Sequence, residues 1–307
     1  MDRTTIYYGP ASGLWDSENI HFVDDVTMKV SPDLFELKTA GFGRFSKRRK
    51  DMKVTIEGQV VMWPSSPAKL LPYGSHQIGQ SIFGATDKPF VLMPRNGGND
   101  SGWTVANAAI TGLSDVIFTA DKQIFNGKMT WTGILANNGD PANLADYLTT
   151  SDAGALTGFD RTKCPTGLYT GSWGETYTGL YSEDGFMVKP SLKTVDTYLP
   201  GLGTIDMIVE ELNATLTTVP IGLTPADILA ILGDVALGDE QACNDFVVTG
   251  GRIGMPIFTL KNSMANFSTG QTGATKKRIG EIEFETIRTQ TTGVLDPLWT
   301  FDTVPEA

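Results

Sequence analysis

Several stretches of this chain alternate apolar and polar residues with a period of two. "VTIEGQV" from Val54 and "GKMTWTGI" from Gly127 do so broadly, and "GEIEFETI" from Gly280 does so strictly. A strand with one buried side has this period, because successive side chains leave opposite faces of the pleat. The last stretch is expected to turn Ile282, Phe284 and Thr286 into a core and to stand Glu281, Glu283 and Glu285 on an accessible face. The matching accessible positions of the "GKMTWTGI" stretch are Lys128, Thr130 and Thr132. Helical patterns are scarce. "TPADILAILGD" offers Thr224 as N-cap, Pro225 at the first helical position and Gly233 near the stop,. A similar start, "SSPAKLLPYG", is cut short by Pro72. Asn126-Gly127, between "DKQIF" and "KMTWTG", predicts a tight hairpin turn, since both turn positions take positive φ,.

The pattern occurs twice. "DRTT" at Asp2 returns as "DRTK" at Asp160, "MKVSP" ending at Pro32 as "FMVKP" ending at Pro190, and "GFGRF" at Gly41 as "GLGTI" at Gly201. In the same order, "SPAKLL" returns as "TPADIL", "TVAN" at Thr104 as "TLKN" at Thr259, "GKMTWTG" as "GEIEFET", and Asp140-Pro141 as Asp296-Pro297. The spacing drifts only slightly from match to match, which predicts a tandem duplication joined by the small, polar "TTSDAGALTG",. The expected fold is mainly β: two tandem β-sandwich or open-barrel domains, at residues 1–150 and 151–307, each with a short flanking helix.

Composition agrees with two globular cores. The chain has 307 residues, of which 40% are hydrophobic and 19% charged, enough apolar material to exclude a disordered chain,. No run of about 18 apolar residues occurs, and the N-terminus lacks an apolar stretch behind a basic end, so neither membrane insertion nor a signal peptide is expected. Cys164 and Cys243 lie far apart, and the two histidines, His21 and His76, form no ligand pattern. No metal or other cofactor is expected. "GFGRFS" runs into a basic stretch and a strand rather than a helix, so it is no phosphate loop. Adjacent carboxylates such as Asp24 with Asp25 or Glu210 with Glu211 would point to opposite faces of a strand, which argues against an enzyme,. Trp15, Trp63, Trp103, Trp131, Trp173 and Trp299 leave a carbohydrate-binding module as an alternative reading, with core packing as the competing role,.

Charge is divided between the copies. Net charge is -11 overall, -2 for residues 1–158 and -9 for residues 159–307. Against that background "GRFSKRRKDMK" at 43–53 carries +5, and its repeat partner "GTIDMIVEELN" at 203–213 carries -3. A nucleic-acid surface would gain from two basic copies, since affinity grows with the number of phosphates neutralised. Opposite signs at equivalent loops suit protein–protein pairing, where complementary charge fixes register.

The opening "YYGPASGLW", the central "GFGRFSKRRKDMKVTIEGQVV", the "WPSSPAKLL" stretch and the closing "FNGKMTWTGI" resemble, in content and order, the tail tube proteins of long-tailed bacteriophages. The resemblance implies a virion structural protein assembled in the host cytoplasm, whose stacked rings form a tube for DNA in transit. In the form with two tube domains per subunit, three copies make a pseudo-hexameric ring. Implied partners are further copies of the chain, tape measure, tail terminator and tail-tip proteins, with no membrane binding. A tail-tip or baseplate hub ring protein is the alternative within the same group. The family's long loop between inner strands reaches the next ring, which implies an inter-ring role for Arg44, Lys47, Arg48, Arg49 and Lys50, opposed by Asp206, Glu210 and Glu211. An inner strand faces the lumen there, which implies that role for Glu281, Glu283 and Glu285, and for Lys128, Thr130 and Thr132.

Overall fold

The computed structural model describes residues 11–23, 25–61, 70–84, 87–94, 102–119, 125–134, 148–151, 167–175, 177–200, 202–232, 240–266, 272–273, 277–278, 280–291 and 293–304. The chain is mainly β, with two large antiparallel sheets. The first half supplies β1 (Ala11–Trp15), β2 (Glu18–Phe22), β3 (Thr27–Thr39), β4 (Gly43–Val61), β5 (Lys88–Pro94) and β6 (Gly102–Gly112). It continues with β7 (Asp115–Phe118), β8 (Phe125–Asn126), β9 (Lys128–Ile134) and β10 (Leu148–Ser151). The second half supplies β11 (Tyr169–Trp173), β12 (Tyr177–Leu199), β13 (Gly203–Ile221), helix α1 (Pro225–Leu232), β14 (Asn244–Gly250) and β15 (Pro256–Asn266). Two short strands, β16 (Thr272–Gly273) and β17 (Lys277–Arg278), precede β18 (Ile282–Thr286), and β19 (Gln290–Thr291), β20 (Val294–Leu295) and β21 (Trp299–Thr303) follow.

Strand pairing closes each sheet on itself. In the first half, β6 pairs β5, β5 pairs β1, β1 pairs β2, β2 pairs β4, β4 pairs β9 and β9 returns to β6. The second half repeats the circuit with β15, β14, β11, β12, β13 and β18. Closure decides between the sandwich and barrel alternatives: each copy is a six-stranded antiparallel barrel, which leaves no open edge around the core.

The cores repeat residue by residue. Trp131 is packed on Phe90 at 5.1 Å between ring centres, and Phe284 on Phe246 at 4.6 Å. Trp15 donates its indole N–H to the Ala108 carbonyl on β6 (2.9 Å), and Trp173 does the same to Ser263 on β15 (3.2 Å). These bonds satisfy the polar edge of buried indoles. Gly13 and Gly171 sit against the equivalent phenylalanines, where a Cβ would approach Phe90 at 2.8 Å and Phe246 at 2.9 Å. Trp15, Trp131, Trp173 and Trp299 are all buried, and Trp103 is exposed, so most of the tryptophans are core material rather than a sugar platform. Trp63 lies outside the described residues.

Helix α1 forms where its signals predict. Thr224 accepts the Asp227 N–H at its hydroxyl (3.3 Å), and the Asp227 carboxylate accepts back from the Thr224 N–H and hydroxyl (both 2.6 Å). These bonds cap the first turn and hold the Asp227 carboxyl below the usual carboxylate range,. In the first copy the matching stretch is 67–74, of which 67–69 lie outside the described residues, Leu70 is helical, and a 3-10 turn occupies Pro72–Ser75.

Two local expectations are corrected. Asn126-Gly127 is no two-residue hairpin turn, because Asn126 pairs with Asp115 in the second sheet while Lys128 pairs with Gln59 in the first. The chain passes between sheets there, since both edges of β9 are taken by β4 and β6. The match of Pro32 with Pro190 is also out of register. Val30 faces Val54 where Pro190 faces Ala214, and Pro32 lies further along β3, opposite Met52.

The halves interlock. β7 and β8 come from the first half of the chain but extend the second sheet, β7 pairing with β12 through Phe186–Val188. Phe118 on β7 lies against Tyr169 and Phe258 inside the second barrel. In the other direction, the Trp299 indole donates to the Leu71 carbonyl at 3.0 Å.

Candidate functional site: two equivalent hairpins

Beyond the barrels, β3 with β4 and β12 with β13 continue as long two-stranded arms. They are the same object built twice. Asp33 pairs with Asp51 and Lys193 with Glu211, and the offset that carries the first pair onto the second also carries the tip pair Thr39–Gly43 onto Leu199–Gly203. The register shifts follow the same offset: they come after Asp33 and Leu37 in the first arm, and after Lys193 and Thr197 in the second. Shared bulges give both arms the same bend and twist.

The basic run is therefore not a loop. "GRFSKRRKDMK" lies on β4 and "GTIDMIVEELN" on β13, because β3 and β12 pair with them almost to the tips. Cross-strand charges hold each arm with the signs exchanged. Lys50 reaches Asp33 at 3.5 Å on the first, and at the equivalent positions Glu210 reaches Lys193 at 2.7 Å. The Glu210 carboxylate holds the Lys193 ammonium above its ordinary range through that hydrogen bond. Near the first tip, Lys38 (3.3 Å), Arg44 (2.9 Å) and Lys47 (3.5 Å) all gather on Glu36, three cations on one carboxylate. Arg48 is exposed, and the Arg49 side chain lies outside the described part of that strand.

The arms differ in what covers them. The second tip is docked on the first arm: Asp51 accepts the Thr204 N–H (3.0 Å) and hydroxyl (2.5 Å), Lys53 pairs with Asp196, and the Lys50 ammonium lies 5.0 Å from the Tyr198 ring centre. Along β13 the first half adds backbone bonds, Ile82 N–H to Met207 carbonyl (2.9 Å) and Val209 N–H to Gln80 carbonyl (3.0 Å). Asp206 is taken up in this seam, accepting from Ser81 (2.9 Å) and the Phe83 N–H (3.3 Å). Gly203, Thr204, Met207 and Val209 are consequently buried. On the first arm Gly43, Arg44 and Lys47, the counterparts of the first three, are exposed, as is Phe42 at the tip, 88% accessible. Glu210 and Glu211 are exposed on the middle of the second arm.

The alternating strand follows its period except at Glu283 and Thr286, both half-buried. Ile282 and Phe284 are buried, Glu281 and Glu285 exposed, and Glu283 half-buried between Thr217 and Asn266. In the first barrel Lys128 is exposed and Thr130 half-buried. Thr132 departs from the expected accessible face: it is 6% exposed and shares a hydrogen bond of 2.7 Å with Thr111 on neighbouring β6.

Among the described residues no group of three His, Cys, Asp or Glu side chains is placed to hold a metal ion, and no helix is long and apolar enough to cross a membrane. No known family model matches the chain, and no curated protein matches it.

Proposed function

We propose that this chain is a structural subunit of the tail tube of a long-tailed bacteriophage and acts by assembly rather than catalysis. Three copies, each contributing two barrels, close into a pseudo-hexameric ring, and stacked rings enclose the path of the DNA. One observation carries the reading beside the sequence resemblance: two barrels of one topology bear equivalent arms, one covered within the chain and one open. A repeated unit whose contact is satisfied once and offered once is suited to heterologous, head-to-tail association, which closes when the rotation permits. The exposed carboxylates Glu281 and Glu285 suit a lumen wall that repels a polyanion,. Tape measure, terminator and tail-tip proteins are the partners of such a tube at its interior and ends. Electron microscopy of the purified chain over a concentration series tests the proposal. Six-lobed rings or tubes are expected, and a chain that stays monomeric under every condition overturns it.

A further inference from the structure

We infer that the open basic arm docks on the acidic arm of a second copy of this chain, in the same pose that the second arm adopts on the first within one copy. The inference rests on the assembly reading above and specifies its contact. The internal contact supplies a template, because both arms follow one register at one constant offset. In that template a tip (Asp196, Tyr198, Gly203, Thr204) lies on the middle of an arm (Lys50, Asp51, Lys53). Replacing each tip residue by its equivalent on the first arm, and each middle residue by its equivalent on the second, gives the junction between copies. The Asp51–Thr204 contact becomes Glu211 with Arg44, and the Lys50–Tyr198 contact becomes Glu210 with Lys38.

Both of these substitutions turn a neutral partner into a salt bridge of matched sign, while the third contact, Lys53 with Asp196, becomes Asn213 with Glu36. At the internal junction a carboxylate meets a hydroxyl and an ammonium meets a ring, beside the Lys53–Asp196 ion pair. At the external one a carboxylate meets a guanidinium and another meets an ammonium. The exposed residues agree with this. Glu36 cannot neutralise the three cations around it, and Glu210 and Glu211 stand exposed on the second arm, bonded to its own Lys193 and Asn213. Backbone supply points the same way. Met207 and Val209 receive a segment of the first half, whereas no strand among the described residues lies beside the matching Lys47 and Arg49 edge of β4, since β9 begins pairing only at Lys53. A two-stranded ribbon exposed on both faces is marginal alone, so cover from a neighbour stabilises it.

Occupancy within the chain chooses the partners. By the same template two first arms would set Lys50 against Lys38 but also Asp51 with Arg44 and Lys53 with Glu36, and two second arms would leave Glu210 on Tyr198 and Glu211 on Thr204 without an ion pair. The second tip and the middle of the first arm are already joined within the chain, which leaves the first tip and the middle of the second arm as the free halves of the junction between copies. The basic run therefore joins neighbours around a ring rather than one ring to the next.

Cysteine cross-linking in a Cys164→Ser, Cys243→Ser background of the full chain tests this. A mixture of Arg44→Cys and Glu211→Cys chains is expected to give a covalent dimer under mild oxidation, while neither variant alone does. A chain carrying both substitutions is expected to cross-link up to a closed trimer and no further. Arg44→Glu is expected to weaken assembly at least tenfold, with recovery when Glu211→Arg is added to the same chain. Assembly without the mixed cross-link, equal cross-linking of either variant alone, or a ladder running beyond the trimer overturns the inference and leaves the tube proposal standing. Wild-type chain that never assembles overturns both.

Discussion

Gly43 and Gly203 are equivalent residues at the tips of equivalent arms, and both need a positive φ, +64° and +87°. An L side chain at such a φ costs about 1 kcal/mol. Beyond that shared cost their surroundings diverge. A Cβ on Gly203 would lie 2.6 Å from the Asp51 carboxylate and 3.2 Å from the Lys50 carbonyl, whereas a Cβ on Gly43 meets nothing within 4 Å. Gly203→Ala is therefore expected to destabilise the isolated chain by about 1–3 kcal/mol more than Gly43→Ala, through overlap at the seam. Urea unfolding of the two variants measures the difference, and equal losses would contradict the docked pose of the second tip. The equivalence of these glycines is legible in "GFGRF" and "GLGTI". The cover over only one of them is not, because Asp51, which supplies it, belongs to the other half of the chain.

β7 is four residues long, yet it ties one half of the chain to the other. Val116, Ile117 and Phe118 are buried along β12, with Phe118 fully enclosed beside Tyr169 and Phe258. Truncating such a ring leaves a cavity that the surrounding strands fill only in part. Phe118→Ala is expected to cost about 3–5 kcal/mol. Because the residue belongs to the first half and its pocket to the second, the signals of Trp15 and Trp173 should still lose structure in one shared transition. Denaturant unfolding followed separately at each half checks this, and two resolved transitions would show that β7 does not couple the barrels. "DVIF" carries no alternation that assigns it to a sheet. Its neighbour is decided by the open outer edge of β12 at Phe186–Val188.

At the scale of the whole molecule, the seam between the halves sets a pH dependence. His76 is buried there, its carbonyl accepting from the Arg288 guanidinium, and burial first and the Arg288 charge second push its pKa below 6.5. His21 is shifted in the same direction, chiefly by burial. In the unfolded chain these imidazoles take up protons near pH 6.5, and in the folded chain only at lower pH. The unfolded state then binds more protons between the two values, so stability falls as pH drops through that window. The urea midpoint is expected to be lower near pH 5 than near pH 7.5, with a smaller difference in His76→Asn. An unchanged pH slope in that variant would exclude His76 as a source.

Period-two alternation determined the strands, and the buried Ile282 and Phe284 beside exposed Glu281 and Glu285 follow from it directly, since a pleat sends neighbours to opposite faces,. The repeat determined that there are two equivalent arms, and the composition of "GRFSKRRKDMK" and "GTIDMIVEELN" determined their opposite charge. Proline matching set Pro32 on Pro190 out of register, because residue identity is a weaker guide than the hydrogen-bond ladder that aligns Val30 with Pro190. The Trp15 and Trp173 anchors keep the spacing that carries Asp2 to Asp160, and the "SGLW" and "TGSW" around them held that signal. Only the tertiary structure decided that each sheet closes into a barrel, that β7 crosses to the other half, that Thr132 is covered, and that one arm is docked while its twin is open. Those outcomes depend on contacts between residues far apart in the chain, such as Asp51 with Thr204 and Phe118 with Phe258, for which local periodicity carries no information.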